Sequence, residues 1–256
     1  MSRIIAVTNQ KGGVGKTTTT FNIGAIAADM GHKTLLVDLD SQAALTALAG
    51  LDPHKLPKSI YHLLLAKELD PQQVLVQDVR PNLDILPASK ALVRSDVELA
   101  QQIGREYLLQ ESIFPLRSEY DLILIDTAPN LGVLTINALT AATDVLIPLL
   151  CEFLALRGMS LLIDMIRQVR AESNPALKIL GVLISMYDPR SLHSREVYTE
   201  AKQIFGKYVF EPPIPKNPRF AEAAAARRPL IEYDPTNKAI NSYRNIVEKI
   251  LSAGQE

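Results

Sequence analysis

The sequence predicts an α/β fold, a mostly parallel twisted sheet with helices on both faces. Two observations carry this. Short, continuously apolar runs recur along the chain, separated by longer stretches with helical spacing. Strands that are apolar throughout are buried on both faces, which is the habit of parallel sheets covered by helices. The first, second and fourth of these runs also end in polar, chemically useful residues. In such sheets ligands sit at the carboxyl ends of the strands.

The elements follow in order. RIIAVT (3–8) reads as a buried strand, and TTTFNIGAIAADMG as a helix that stops at Gly31. KTLLVDLD is the next strand and ends in acids; NLDILPAS (82–89) is the third. YDLILIDTAP (120–129), DVLIPLL (144–150), LKILGVLISMY (177–187) and KYVFEPPIP (207–215) give the fourth to seventh. Helical stretches cover 132–142, 156–171, 194–205 and 236–251.

Length and composition bound the function. With no long linker, low-complexity segment or internal repeat, residues 1–256 read as a single domain. The 27 Lys and Arg nearly balance 28 Asp and Glu, so affinity for nucleic acid requires a local patch. The lone Cys151 excludes an intrachain disulfide and a cysteine-pair metal site, and fits a reducing compartment. The four histidines lack metal-ligand spacing. The apolar run at the start is too short for a signal peptide. No uncharged apolar run reaches the ~18–20 residues of a membrane helix. A soluble cytoplasmic protein is the expectation.

Between the first strand and first helix lies KGGVGKTT, Lys11 to Thr18. Glycines let a loop turn sharply and aim its N–H groups at phosphates. Gly12, Gly13, Val14, Gly15, Lys16, Thr17 and Thr18 would therefore cradle a nucleotide. Lys16 would reach the β- and γ-phosphates, the Thr17 hydroxyl would ligate Mg²⁺, and the helix would add its positive end. The common pattern has glycine where Gln10 stands, and it does not call for a lysine at Lys11.

Acids close two further strands. Asp38 and Asp40 in LLVDLDSQ fall on opposite faces of a strand unless the chain bends there, so they do different jobs. LILIDTAP places Asp126 after four apolar residues, at the tip of a buried strand, where it can reach Mg²⁺.

With these motifs in order, the chain resembles the ParA/MinD family of deviant Walker A ATPases, and within it the ParA/Soj-type partition ATPases, including carboxysome-positioning McdA-like members. NQKGGVGKTT carries the resemblance; MinD-type proteins more often keep a glycine at the Gln10 position. The resemblance implies a three-layer P-loop NTPase fold, with ATP and Mg²⁺ as cofactors. It implies that Lys11 reaches across a dimer interface to the partner's nucleotide. It assigns Asp40 to positioning the attacking water and Asp38 to supporting the Mg²⁺ region. The later blocks DVLIPLLCEFLALRGM, GVLISMYDPR, IPKNPRFAEA and PLIEYDPTNKA also match in order, which implies nucleotide contacts from Pro215 and Asn217. Departures are Ser41 for a usual Pro, Asn130 for a frequent Ser, Arg157 where an acid is common, and the alanine-rich AEAAAARRP.

From 188 to 228 eight basic residues face five acidic ones, a net +3. Clustered cations suit phosphate contacts. The resemblance implies that Arg190 and Arg219 bind DNA without sequence preference; Lys216, Arg227 and Arg228 extend the patch. Few aromatics are present, which favours duplex backbone contacts over single-strand stacking.

The resulting expectation is a weak ATPase that dimerises on ATP, binds non-specific double-stranded DNA and associates with the nucleoid. It would position a chromosome origin, plasmid or carboxysome, with a ParB-like or McdB-like adaptor stimulating hydrolysis. A MinD-like membrane switch is the alternative; the last helix lacks the basic polar face of such a tail, so no stable membrane anchor is expected. A metabolic enzyme of the dethiobiotin synthetase type is a more distant rival. Nitrogenase-iron-protein chemistry needs two cysteines per subunit and is excluded by Cys151 standing alone.

Overall fold

The computed structural model describes residues 2–66, 68–152 and 159–252. Seven strands form one sheet: β1 (Arg3–Val7), β2 (Thr34–Leu39), β3 (Val76–Arg80), β4 (Leu83–Leu86), β5 (Leu122–Thr127), β6 (Asp144–Leu150) and β7 (Lys178–Ser185). Their order is β3-β4-β2-β5-β1-β6-β7. All neighbours run parallel except the edge pair β3 and β4. Successive strand residues feed two different cores, because side chains alternate between the faces. Ile4, Ala6, Leu35, Val37, Ile123 and Ile125 belong to one core; Ile5, Val7, Leu36, Leu122 and Leu124 belong to the other.

Helices cover both faces. They are α1 (Lys16–Asp29), α2 (Ala44–Leu48), α3 (Ile60–Leu65), α4 (Ser95–Glu98), α5 (Leu108–Ile113), α6 (Val133–Ala141), α7 (Met159–Glu172), α8 (Leu192–Phe205), α9 (Arg219–Ala225), α10 (Leu230–Tyr233) and α11 (Lys238–Ser252). Side chains of α3, α5, α6, α7 and α8 pack into the first core, and those of α1, α9, α10 and α11 into the second. The apolar stripe of α11, Ile240, Tyr243, Ile246, Val247 and Ile250, is at most 3% exposed and lies in the second core. That face is spent on packing. Among the described residues no helix is long and apolar enough to cross a membrane.

Two elements differ from the sequence reading. Residues 207–215 do not form the seventh strand. They run beside β7 and make isolated bridges, Val182 with Val209 and Tyr187 with Pro215. Phe210 and Ile214 donate to the β7 carbonyls of Val182 and Ile184, but Pro212, Pro213 and Pro215 have no N–H to continue the ladder. The seventh strand is instead β3, whose alternation is blurred by Gln77, Asp78 and Arg80 at a half-exposed edge. The segment 153–158, with Arg157 and the start expected for the helical stretch 156–171, lies outside the described residues.

Candidate functional site

β1 lies in the interior of the sheet, between β5 and β6, and the chain leaves its carboxyl end to enter α1. A crevice opens where connections from neighbouring strands diverge in this way. The loop 8–15 fills that position. Gly13 (φ 74°) and Gly15 (φ 88°) adopt left-handed backbone there, which side chains with a Cβ resist. Asn9 fastens the loop from both ends of its amide. Its Nδ2 donates to the Pro148 carbonyl at 2.7 Å, and its Oδ1 accepts from the Lys11 N–H at 3.0 Å. The Ser185 hydroxyl, at the end of β7, donates to the Val14 carbonyl at 2.8 Å. The loop is thus held in shape by the tips of β6 and β7.

The two lysines occupy different surroundings. Lys16 is 7% exposed, and its Nζ lies 3.3 Å from the Lys11 carbonyl, inside the curl of the loop. Burial pulls its ammonium below the usual lysine range, while the charges of Asp126 and Asp40 oppose that shift. Lys11 points outward and pairs with Glu152 of the same chain. Its side chain is 37% exposed.

The three acids converge on this crevice with distinct environments. Asp38 and Asp126 are register partners on β2 and β5 and are fully buried. Asp38 is hydrogen-bonded throughout: Oδ1 accepts the Asp40 N–H at 3.1 Å, and Oδ2 accepts the Thr46 N–H at 2.8 Å and its hydroxyl at 2.7 Å. Burial pushes its carboxyl up to about 6, with the Thr46 bonds holding it back. Asp126 has no such support. Neither carboxylate oxygen has a partner of hydrogen-bonding geometry, and both are buried. Burial, then the Asp38 charge, raise it well above the usual carboxylate range; the Thr17 hydroxyl and Lys16 act the other way.

β2 ends at Leu39, so Asp40 sits just past the strand, where the chain bends. It is 9% exposed, and its Oδ1 accepts the Gln42 N–H at 2.9 Å. The bend, and not strand alternation, separates Asp38 from Asp40. Asp38 secures the loop from within, and the charge of Asp40 is felt at Lys16 and Asp126.

An orphaned, buried carboxylate beside a hydroxyl is the donor set of a hard divalent cation held by few protein ligands. Asp126 and Thr17 fit Mg²⁺. No group of three or more His, Cys, Asp or Glu side chains among the described residues is arranged to hold a metal ion by itself. That is compatible with a cation whose remaining ligands are phosphate and water.

A hollow of about 440 Å³ adjoins the loop at Gly15, Thr18 and Thr19. Pro215, Asn217, Met186 and Phe220 line it, with Tyr243 of α11. Its apolar wall and its place beside the loop suit a nucleoside, and Pro215 and Asn217 are among its lining residues. Met186, Phe220 and Tyr243 were not foreseen, because no local motif marks side chains that meet only through tertiary packing. A larger depression, about 720 Å³, lies among Ser2, Phe114, Tyr120 and Asp121, at the amino ends of the strands and away from every functional group above.

Lys216 and Arg219 lie beside the 440 Å³ hollow. Lys216 lines it, and α9, which begins at Arg219, supplies its Phe220 and Ala221. Arg190 and Arg219 are engaged, with Asp188 (3.0 Å) and with Glu222 (2.6 Å) and Asp234 (3.8 Å). Lys216, Arg227 and Arg228 are exposed and make no ion pair among the described residues. Of the five cations singled out from sequence, Arg190 and Arg219 are thus neutralised within the chain.

Comparison with known proteins agrees with this geometry. Residues 2–179 match the AAA domain family. The chain is 39% identical to the sporulation initiation inhibitor protein Soj of Bacillus subtilis strain 168 over 254 residues, covering 99% of this chain and 100% of that one. It is 41% identical to the chromosome-partitioning ATPase Soj of Thermus thermophilus, covering 99% and 97%. Among solved structures, cobyrinic acid a,c-diamide synthase of Mycobacterium smegmatis with bound ADP and magnesium superposes with a TM-score of 0.88 at 39% identity, covering 100% and 96%. A shared fold, full-length coverage and the two-lysine phosphate loop place this chain in the ParA/Soj-type family of P-loop partition ATPases.

Proposed function

We propose that the protein is an ATP-driven dimerising switch that binds duplex DNA without sequence preference and segregates a chromosomal or plasmid cargo. The observation that carries this reading is the division of labour between the lysines. Lys16 is buried inside its own loop, whereas Lys11 stands at the exposed rim, where a second protomer's nucleotide can be reached. ATP would sit with its phosphates in the 12–18 loop and its base in the hollow beside Pro215 and Asn217. Thr17 and Asp126 would hold Mg²⁺, which neutralises phosphate charge when bound. Asp40 would orient the attacking water, and Asp38 would hold the loop that carries it.

Dimerisation adds the partner's cation patch to this one, and two weak DNA contacts become one avid contact. The patch borders the nucleoside hollow, so nucleotide and DNA act on the same elements. A small adaptor of the ParB type is the expected stimulator of hydrolysis. The Mycobacterium smegmatis protein's name raises a second reading, ATP-dependent amidation of a small molecule.

Light scattering with ATP and co-sedimentation with DNA or liposomes test this. The wild type forms an ATP-dependent dimer that sediments with DNA; Lys11→Gln binds ATP but stays monomeric; Asp40→Ala stays dimeric with ATP. An ATP-dependent dimer of normal affinity in Lys11→Gln removes the role given to Lys11. Retention on liposomes but not DNA removes the partition reading.

A further inference from the structure

The loop that carries Asp40 is closed by a single buried side chain. Thr46, on α2, is 0% exposed. Its N–H and its hydroxyl both donate to Asp38 Oδ2, at 2.8 and 2.7 Å. The same hydroxyl accepts the Ala88 N–H, just past the end of β4, at 2.8 Å. The other oxygen of Asp38 accepts the Asp40 N–H at 3.1 Å. One carboxylate therefore grips both ends of the segment between Asp40 and Thr46. Within it, the Asp40 carbonyl accepts the Ala43 N–H at 2.8 Å, and Ala43 takes left-handed backbone at φ 52°.

A threonine hydroxyl has one proton and two lone pairs. Here the proton goes to Asp38 and a lone pair to Ala88, so the group is used in both directions. Valine keeps the shape and loses both bonds. It would leave the Ala88 N–H buried without an acceptor and Asp38 with one charge-assisted bond fewer. The freed segment is the one that carries Asp40. The phosphate loop has its own fastenings, Asn9 and Ser185, and does not depend on Thr46.

We infer that Thr46 is a positioning residue for ATP hydrolysis, fixing Asp40 by bridging the buried Asp38 carboxylate to the end of β4. This rests on the proposed assignment of Asp40 to the attacking water. A residue that only filled space would affect nucleotide binding, turnover and stability together. Thr46 acts on turnover, because misplacing a water-orienting group slows the chemical step without weakening ground-state binding.

The test uses the full chain, with Mg²⁺-dependent ATP turnover, affinity for a fluorescent ATP analogue and thermal melting measured side by side. Thr46→Val lowers kcat about tenfold or more and leaves nucleotide affinity within about twofold. Thr46→Ser, which restores the hydroxyl, stays within about threefold of wild type in kcat. Thr46→Ala removes the hydroxyl without setting a methyl group against Asp38; it shows the same split if the valine variant does not fold. The inference is overturned by a valine variant with wild-type kcat. It is equally overturned by parallel loss of affinity and turnover, or by a serine variant as slow as valine. Asp40→Ala separates the two levels. If it is slow and Thr46→Val is fast, Thr46 alone loses its role. If Asp40→Ala turns over normally, the assignment of Asp40 fails, and the role of Thr46 fails with it.

Discussion

Lys11 Nζ lies 2.5 Å from the Glu152 carboxylate of its own chain, an ion pair at the rim of the phosphate loop. Both side chains are substantially exposed, 37% and 54%. In the proposed dimer Lys11 must leave Glu152 to meet the partner's nucleotide. Exposed pairs of this kind are worth about 0–1 kcal/mol, so the restraint is mild, at most about fivefold in an equilibrium. Glu152→Gln is expected to tighten the ATP-dependent dimer by up to that factor for each of the two protomers, read by sedimentation equilibrium with a non-hydrolysed ATP analogue. A weaker dimer would show that Glu152 serves the assembled state.

The paired acids give a pH dependence of known sign. Asp38 is pushed up to about 6 and Asp126 well above its usual value, in both cases chiefly by burial. The folded, unliganded chain therefore holds these protons more tightly than the unfolded chain, in which carboxylates titrate near ~4. Stability from Asp38 is present at low pH and lost as pH rises through about 6, and Asp126 acts in the same direction. The unliganded melting temperature should rise between pH 7.5 and 6, and rise less in Asp126→Asn. That variant should also melt higher than wild type at pH 7.5, because a buried charge is gone, and should lose the further gain from Mg²⁺ with ATP. Parallel pH curves for the two proteins would count against the pair.

The proposed DNA patch divides into neutralised cations and cations that make no ion pair among the described residues. Asp188 already offsets Arg190, whereas Arg227 and Arg228, just past the end of α9, make no ion pair among the described residues. Counter-ion release scales with the charges a protein brings to phosphate. The double variant Arg227→Glu, Arg228→Glu is expected to weaken duplex binding by about tenfold or more and to flatten its salt dependence. Arg190→Ala should cost less, and ATP affinity should be unchanged in both. Fluorescence anisotropy at two salt concentrations decides it; an unaltered slope in the double variant would place the DNA elsewhere.

Gly24 sets how closely α1 can lie on the sheet. A Cβ there would stand 2.7 Å from Leu36 Cδ2 and 3.4 Å from the methyl carbons of Leu83 and Leu124. The phosphate loop opens α1, so displacement of this helix reaches the site. Gly24→Ala should destabilise the chain by roughly 1–3 kcal/mol despite alanine's better helix propensity. Urea unfolding measures it; an unchanged midpoint would mean that the leucines yield freely.

Chemistry concentrated in contiguous motifs was legible in the sequence. KGGVGKTT after a buried strand marked the phosphate loop, LILID marked Asp126, and VDLD marked Asp38 and Asp40, because backbone geometry forces these functions into short spacings. The continuous apolar runs likewise foretold the parallel sheet. Edge elements were less legible. β3 carries Gln77, Asp78 and Arg80 because one side of an edge faces water, while the apolar run 207–215 imitates a strand that its prolines break.

The sequence by itself determined the fold class, the identity of the phosphate loop and the order of its acids, since each depends on neighbours within a few residues. Only the tertiary structure decided how these groups are used. It buried Asp38 under three hydrogen bonds and left Asp126 with none. It joined Thr46 to Ala88 across 42 residues and Lys11 to Glu152 across 141. It spent the apolar face of α11 on the core. The reason is physical: solvation and charge environment come from packing among strands distant in sequence, and no local pattern encodes them.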